Sequence, residues 1–459
     1  MKVLFVSRFV DPFPIGGNKN VFLQAKTLIE NYGVDVEVLT WPQDDFWTGE
    51  EPPVSSAPDL LEIEREGIKY HVFKAPAYFD VPAGGAILSD ADWEEAVELG
   101  ERFLDTLKPD IVHLQHRHGL WWILESAQRM SIPTVYSNHD WGIPCMRTIL
   151  VMGDNQLCDG IVEVQKCSSC ITSGRSSLLG RLNERLVTNV IGETLAKAVI
   201  TLPLLGDSLR KRGLVTLRAE SRTSIHSRRA KRVMRGLAHC FTPSEFGKKF
   251  FSRFGVSDAL ISVLPWYHDP VDQAKCLIPN QSFTITYIGR VSPEKGVGMI
   301  FSALEALNNC EPILLRIVGS NDMPYCSGLK EKYPTSVGIH AVEWVGWAKI
   351  EPFFKTTDVT ILPSQWIDNT PLSLIEALAY RTPVIATRVP PVEELLLEGE
   401  TGFLATYGSV SSLMAAIERA IRNKVKIRSQ EIVFPEISGI NQYMREVVRV
   451  YRAIMKAVA

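Results

Sequence analysis

The chain has 459 residues, of which 22% are charged and 46% hydrophobic, with a net charge of −3. That is enough for two domains with full cores of about 150 to 250 residues each, and it leaves no global basic field of the kind that grips nucleic acid. No apolar run reaches about 18 residues, so no membrane span is predicted; the eight cysteines are expected in a reducing compartment, as thiols or metal ligands rather than disulfides.

The opening MKVLFVSRFVDPFPIGG predicts a first core strand, VLFVS, and not a signal peptide. Gly16 and Gly17 then make a turn into a helix over about residues 18–31, and paired glycines let backbone approach a ligand closely. VDVEVLT follows as a strand, then a polar helix over about 92–107, the strand DIVHLQ, another helix and the strand TVYSN. The second half restarts the pattern with the strand FTITYIG (283–289), the helix GVGMIFSALEAL, and the strands ILLRIVG and HAVEWVG. VTIL, a helix opened by Pro371, and PVIAT continue it. Alternating strands and helices predict two open α/β sheets, which bind ligands beyond the C-terminal ends of their strands. Pro265, Pro270 and Pro279 mark the boundary between the halves.

Residues 359–380, VTILPSQWIDNTPLSLIEALAY, are the richest in chemistry. A short β-branched strand ends at Pro363, and Pro371 is placed in the first helical turn, where it costs no hydrogen bond. Asn369 or Thr370 is expected to cap that helix. Its free amides and positive dipole end make an anion site, and side-chain tilt brings Glu376 back toward the loop carrying Asp368. Two acids beside a phosphate cradle suit a nucleotide-sugar. Gly289 and Arg290 end another strand, followed by Glu294, Lys295 and Gly296; Arg290 and Lys295 would project from its C-terminal end, where two cations can neutralise a diphosphate.

These motifs resemble those of glycosyltransferase family 4. Many members read Pro-Ser, an aromatic, Glu-Asn, Pro-Leu and Glu-Ala where this chain has Pro363, Ser364, Trp366, Asp368, Asn369, Pro371, Leu372, Glu376 and Ala377. They also read Gly-Arg, a short loop and Lys-Gly where it has Gly289, Arg290, Lys295 and Gly296. The chain departs from the family in Asp368 for Glu, in Arg381 where many members have Gly, and in Asn18 and Lys19 where an acid usually follows the first glycines.

The resemblance implies a GT-B architecture of two Rossmann-like domains with parallel sheets facing across a cleft. Residues 1–270 would form the acceptor-side domain, carrying the cysteine-containing and basic segments within 140–235. Residues 271–436 would bind the donor, and a closing helix over 437–459 would cross back onto the N-terminal domain. The activity implied is transfer of a hexose from a nucleotide-sugar of UDP, GDP or ADP type to a hydroxyl acceptor (a glycan, a lipid-linked glycan or a small molecule), with retention and no metal needed for catalysis. Arg290 and Lys295 would hold the diphosphate, assisted by the backbone around Asn369, Thr370, Pro371 and Leu372, Asp368 would hold the hexose, Glu376 the ribose, and backbone at Val345 and Gly346 the base. Gly16, Gly17 and Gly289 would approach the donor. His139, followed by Asp140 just past TVYSN, matches a family His-Asp pair beside the transferred sugar, where a neutral imidazole can hydrogen-bond hydroxyls. Two other readings stay open: a nucleotide-sugar epimerase of the same architecture, and a relative that binds nucleotide-sugar without transferring it.

Three features stand apart. Gly296-Val-Gly298 lacks the third glycine and the later acid of a dinucleotide fingerprint, and NAD binding is rejected. Cys145, Cys158, Cys167 and Cys170 offer the ligand count of a structural zinc site, with reduced thiols or a disulfide as alternatives; a subset of family 4 looks similar here. The basic residues between about 210 and 235, among them Arg228, Arg229 and Arg232, are read as a solvated helical face or as a surface for anionic lipid. The expected location is cytoplasmic, with that segment as the contact to the inner membrane face.

Overall fold

The computed structural model describes residues 1–7, 17–40, 60–73, 88–116, 119–173, 207–276, 282–307, 312–319, 324–346 and 349–458, with the side chains of 17–18 and 207–219 left aside. Two compact units emerge, one of residues 1–11, 34–240 and 249–261, the other of residues 12–33, 241–248 and 262–459.

The first is built on an eight-stranded sheet. Its strands are β1 (Lys2–Val6), β2 (Asp35–Thr40), β3 (Leu60–Arg65), β4 (Ile68–Phe73), β5 (Ile111–Leu114), β6 (Thr134–Ser137), β7 (His239–Thr242) and β8 (Ile261–Val263), in the order β3-β4-β2-β1-β5-β6-β7-β8. β1, β2, β4, β5 and β6 run parallel. The strand–helix alternation does not foresee β3, which pairs antiparallel with β4. Glu66 and Gly67 join the two strands with φ of 51° and 76°, the left-handed pair that a tight hairpin turn demands.

Around the sheet lie α2 (Asp90–Leu107), α3 (Ile123–Arg129), α4 (Val164–Ser173), α5 (Asp207–Arg235) and α6 (Glu245–Phe254), while α1 (Gly17–Tyr32) precedes β2. Ser89 and Asp92 close a capping box at the start of α2, which satisfies two otherwise orphaned amides. Three arginines at the basic end of α5 pair with acids of the same unit, Arg229 buried and Arg228 and Arg232 exposed. Arg229, 1% exposed, donates to the carbonyls of Leu88 and Ser89 and to Asp90, each at 2.8 Å, and lies over the Trp93 ring. Arg228 also pairs with Asp90, and Arg232 with the buried Glu125. Acids on α2 and α3 thus absorb the charge.

The second unit holds a seven-stranded sheet of β9 (Phe283–Ile288), β10 (Ile313–Val318), β11 (Ser336–Val337), β12 (His340–Val345), β13 (Val359–Leu362), β14 (Val384–Thr387) and β15 (Gly402–Ala405), in the order β11-β12-β10-β9-β13-β14-β15. All pairings are parallel except β11 with β12. Central β9 is buried along its whole length, as a strand covered on both faces must be. The helices are α7 (Val297–Glu305), α8 (Pro324–Lys332), α9 (Glu351–Lys355), α10 (Leu372–Ala379), α11 (Pro390–Glu393), α12 (Val410–Arg422), α13 (Lys424–Arg428) and α14 (Ile440–Val458). α14 buries Tyr443, Met444, Val447, Val448 and Tyr451 and packs against α1, where Asn31 and Tyr32 bond Asn441. Among the described residues no helix is long and apolar enough to cross a membrane.

Arg428, at the end of α13, reaches back to the foot of the sheet. It bonds both carboxylate oxygens of Asp358 at 2.7 and 2.8 Å, and Asp358 also accepts from the amide of Thr284, the second residue of β9. Asp358 is 1% exposed. Removing one partner of a buried pair strands the other charge, at a cost of about 3–5 kcal/mol. Arg428→Ala is therefore expected to lower the unfolding free energy measured in urea by that order, with an earlier midpoint, and an unchanged midpoint refutes the clamp.

Candidate active site

The tips of β9 and β13 are neighbours, and the loops that leave them are locked together. After β9, Gly289 (φ 151°) and Gly319 pass so close that a Cβ on Gly319 would fall 1.9 Å from the Gly289 carbonyl. The chain then makes a short turn over Pro293–Lys295 and arrives at Gly296 with φ 71°. A Cβ there would lie 2.0 Å from the Pro363 carbonyl, the first residue past β13. The Gln365 amide donates to the Glu294 carbonyl at 2.7 Å. Glycine is required on both counts, the left-handed backbone and the close approach.

That junction delivers Lys295 to Asp368. The ammonium stands 2.5 Å from Asp368 Oδ2 and 5.0 Å from the Trp366 ring centroid. Asp368 is buried. Around this pair lie buried polar atoms with no partner in the protein: Ser292 Oγ, Trp366 Nε1 and Thr370 Oγ1. Such atoms are costly unless a ligand or water satisfies them. Thr370 is strained as well, with φ 58°, an outlier for a β-branched side chain.

The cap differs from expectation. Pro371 (φ −56°, ψ 133°) is itself the N-cap, α10 starts at Leu372, and no side chain caps it. With proline in the cap position and Thr370 left-handed, neither Asn369 nor Thr370 occupies the extended residue from which a side chain reaches back to the helix amides. The first amides of α10 therefore face the loop without a protein cap. Glu376, one turn along, is only partly exposed, and burial pushes its carboxyl up to about 7, against a downward pull from Lys19 at the start of α1.

Arg290 goes elsewhere than predicted. Its guanidinium bonds Glu294 at 2.7 Å and is 58% exposed, so Lys295 meets the loop acid while Arg290 meets its own helical neighbour. Tyr287 donates to the Arg290 carbonyl at 2.6 Å and lies within electrostatic reach of Asp368, a role that nothing in the strand FTITYI announces. Val345 gives its carbonyl to the Gly319 amide, and Gly346 is exposed beside two residues outside those described. Gly16 lies outside the described residues, and Gly17 opens α1.

In the other unit, His139 follows β6. Its Nε2 is 2.9 Å from Gln115 Oε1, and its ring stacks on His116 at 4.4 Å. His116 Nδ1 is in turn 2.9 Å from Ser7 Oγ. Burial, with the nearby His116 and His113, holds the His139 imidazole well below its usual titration range, hence neutral. Gln115 and Ser7 were missed by sequence reasoning; the available signal was a polar residue at the C-terminal tip of an otherwise apolar parallel strand. Cys145, Cys158, Cys167 and Cys170 are free thiols, and among the described residues no three His, Cys, Asp or Glu stand in a metal-holding arrangement.

Comparison with known proteins gives these tips a setting. Residues 269–432 match the family model of glycosyl transferases group 1, and residues 16–162 match that of the glycosyl transferase 4-like domain. Each half of the chain thus matches a glycosyl transferase domain model, and its two sheets make a GT-B fold. Lipopolysaccharide 1,2-N-acetylglucosaminetransferase of Salmonella typhimurium is 27% identical over 45% of this chain and 60% of its own length. An α-1,3-galactosyltransferase of Escherichia coli, named for UDP-Gal and GlcNAc-diphosphoundecaprenol, is 28% identical over 36% of this chain and 43% of its own. This GT-B chain thus spans less than two thirds of the length of the curated relatives it matches. Its fold resembles Anabaena HepE in complex with UDP-glucose (TM-score 0.55, 16% identity, 100% and 99% of the two chains). It also resembles sucrose-phosphate synthase of Thermosynechococcus elongatus (TM-score 0.58, 15% identity, 99% of each).

Two outcomes follow for this GT-B site. Gly296→Ala is expected to cost about 2–3 kcal/mol in chemical denaturation, through backbone strain and the clash with Pro363; a silent substitution would break the proposed junction. Ionising Glu376 costs stability because its folded pKa lies above its unfolded one. The cost is absent below about pH 4.5, grows as pH rises toward 7 and is complete above it. Glu376→Gln is therefore expected to raise the melting temperature most at pH 8 and progressively less toward pH 5, and a pH-independent difference would contradict the burial.

Proposed function

We propose that this protein transfers a hexosyl group from a nucleoside diphosphate sugar to a hydroxyl acceptor, with retention at the anomeric carbon. The observation that carries the reading is the Lys295–Asp368 contact, set between unpartnered buried polar atoms and the uncapped start of α10.

With the site filled, the diphosphate takes the Lys295 ammonium and the amides that open α10, which stabilise the negative charge growing on the leaving group. Asp368, released from Lys295, accepts from hexose hydroxyls. Glu376 in its ionised form accepts from the ribose hydroxyls, and backbone at Val345 and Gly346 lies against the base. Arg290 joins the diphosphate by exchanging its Glu294 bond for a phosphate oxygen, an exchange within reach of an exposed side chain. His139, kept neutral, hydrogen-bonds sugar or acceptor hydroxyls; the support for that role is the family resemblance and its neutral state. Retention and the hexose are likewise supported by resemblance, and the hydroxyl acceptor by relatives named for lipopolysaccharide transfer.

Lys295→Ala is expected to reduce kcat/KM for transfer by about 10²–10³, the effect of losing one well-placed stabiliser of developing charge, and to lower the melting temperature as well, because Asp368 loses its partner in a buried setting. Proton NMR of the first product formed should show the anomeric configuration of the donor. Unchanged transfer in both Lys295→Ala and Glu376→Ala would overturn the assignment, and an inverted product would overturn retention.

A further inference from the structure

We infer that Cys145, Cys158, Cys167 and Cys170 are the ligands of a single structural Zn²⁺ bound by the segment that follows β6. The inference stands on that segment alone and does not depend on the transfer reaction.

Three separate pieces of chain bring the sulfurs together. The first is a turn: the Cys145 amide bonds the Trp141 carbonyl at 2.8 Å, and the Thr148 amide returns to the Cys145 carbonyl at 2.9 Å. The second is a narrow loop closed by a bridge between Val151 and Leu157, with the Cys158 amide on the Leu150 carbonyl at 2.9 Å, so Cys158 comes back beside the Cys145 turn. The third is α4, which carries Cys167 and Cys170 one turn apart. Arg147 reaches from the first turn to the Cys170 carbonyl at 3.4 Å, and Cys170 Sγ lies 3.9 Å from the Val151 carbonyl. Every one of the four sulfurs is within electrostatic reach of at least two of the others.

Backbone amides point at two of the sulfurs. The amides of Arg147, Thr148 and Leu150 bond Cys145 sulfur. The Gly160 amide bonds Cys158 Sγ at 3.4 Å, with Gly160 at φ 77°. Burial raises the Cys145, Cys158 and Cys167 thiols, so an ion bound there would displace their protons, and the tetrathiolate set so formed selects a soft, tetrahedral divalent ion, of which zinc is the common one. Among the described residues no three His, Cys, Asp or Glu stand in a metal-holding arrangement, so binding requires the three pieces of chain to close around the ion. The cationic Lys166, bonded to Asp159 and close to Cys158 and Cys167, and Arg147 would offset the excess negative charge of the complex.

The test uses the full chain, produced with zinc in the medium and purified under reducing conditions. Elemental analysis should find about one zinc per chain, and a mercurial titrating the thiols should release it as four are consumed. Stripping with a chelator should lower the melting temperature, and added Zn²⁺ should restore it. Co²⁺ in its place should give sulfur-to-cobalt charge-transfer absorption with tetrahedral ligand-field bands. Cys167→Ser and Cys158→Ser should each lose most of the metal, while Cys276→Ser, at an exposed cysteine outside the cluster, should keep it. Metal-free wild-type protein after Zn²⁺ add-back, a disulfide among the four in mass spectrometry, or zinc retained in the Cys167 and Cys158 variants would each overturn the inference. The mercurial and cobalt measurements on wild-type protein keep it falsifiable if those variants fail to fold.

Discussion

The C-terminal site depends on one backbone contact, that of Gly296 against the Pro363 carbonyl. Two loops leave adjacent strand tips, and no side chain at position 296 could sit between them. The Gln365 amide then fixes the pair in register through the Glu294 carbonyl. Loops are ordinarily the softest part of an α/β sheet, and here they are held by main chain rather than by long side chains. The position of Lys295 is consequently set by rigid geometry, as preorganised electrostatic stabilisation requires.

Around that junction the charges are arranged for exchange. A cation and a carboxylate neutralise each other across 2.5 Å, and each can pass to an opposite partner when an anion and a polyhydroxyl arrive together. A ligand with only one of those features would leave Lys295 or Asp368 uncompensated in a buried setting, which is expensive. Glu376 adds a second threshold, since its burial favours the neutral acid until pH approaches 7. The strain at Thr370 belongs with these features: an unfavourable backbone and an orphaned hydroxyl persist where the surrounding structure over-determines them.

The first unit spends its polar residues differently. Part of the charge of α5, which by sequence reads as a solvated helical face or a surface for anionic lipid, is used internally, with Arg229 buried over Trp93 and bound to the start of α2. A guanidinium suits that place because its planar fork can serve two carbonyls and a carboxylate at once. The His139, Gln115, His116 and Ser7 contacts at the tips of β1, β5 and β6 are a polar patch on an apolar scaffold.

Much of this architecture could be read from the chain. Runs such as FTITYIG and VTIL appear as β9 and β13 because β-branched apolar runs bounded by turn residues have few other ways to be buried. Local spacing likewise placed Asp368 and Glu376 on the two sides of a helix start. Tertiary structure alone decided the rest. It put proline rather than a polar residue at the cap of α10, turned Arg290 to Glu294, buried Arg229, and raised the Glu376 carboxyl to about 7. Each of those outcomes depends on which distant groups surround a side chain, and periodicity and motif spacing carry information only about its neighbours along the chain.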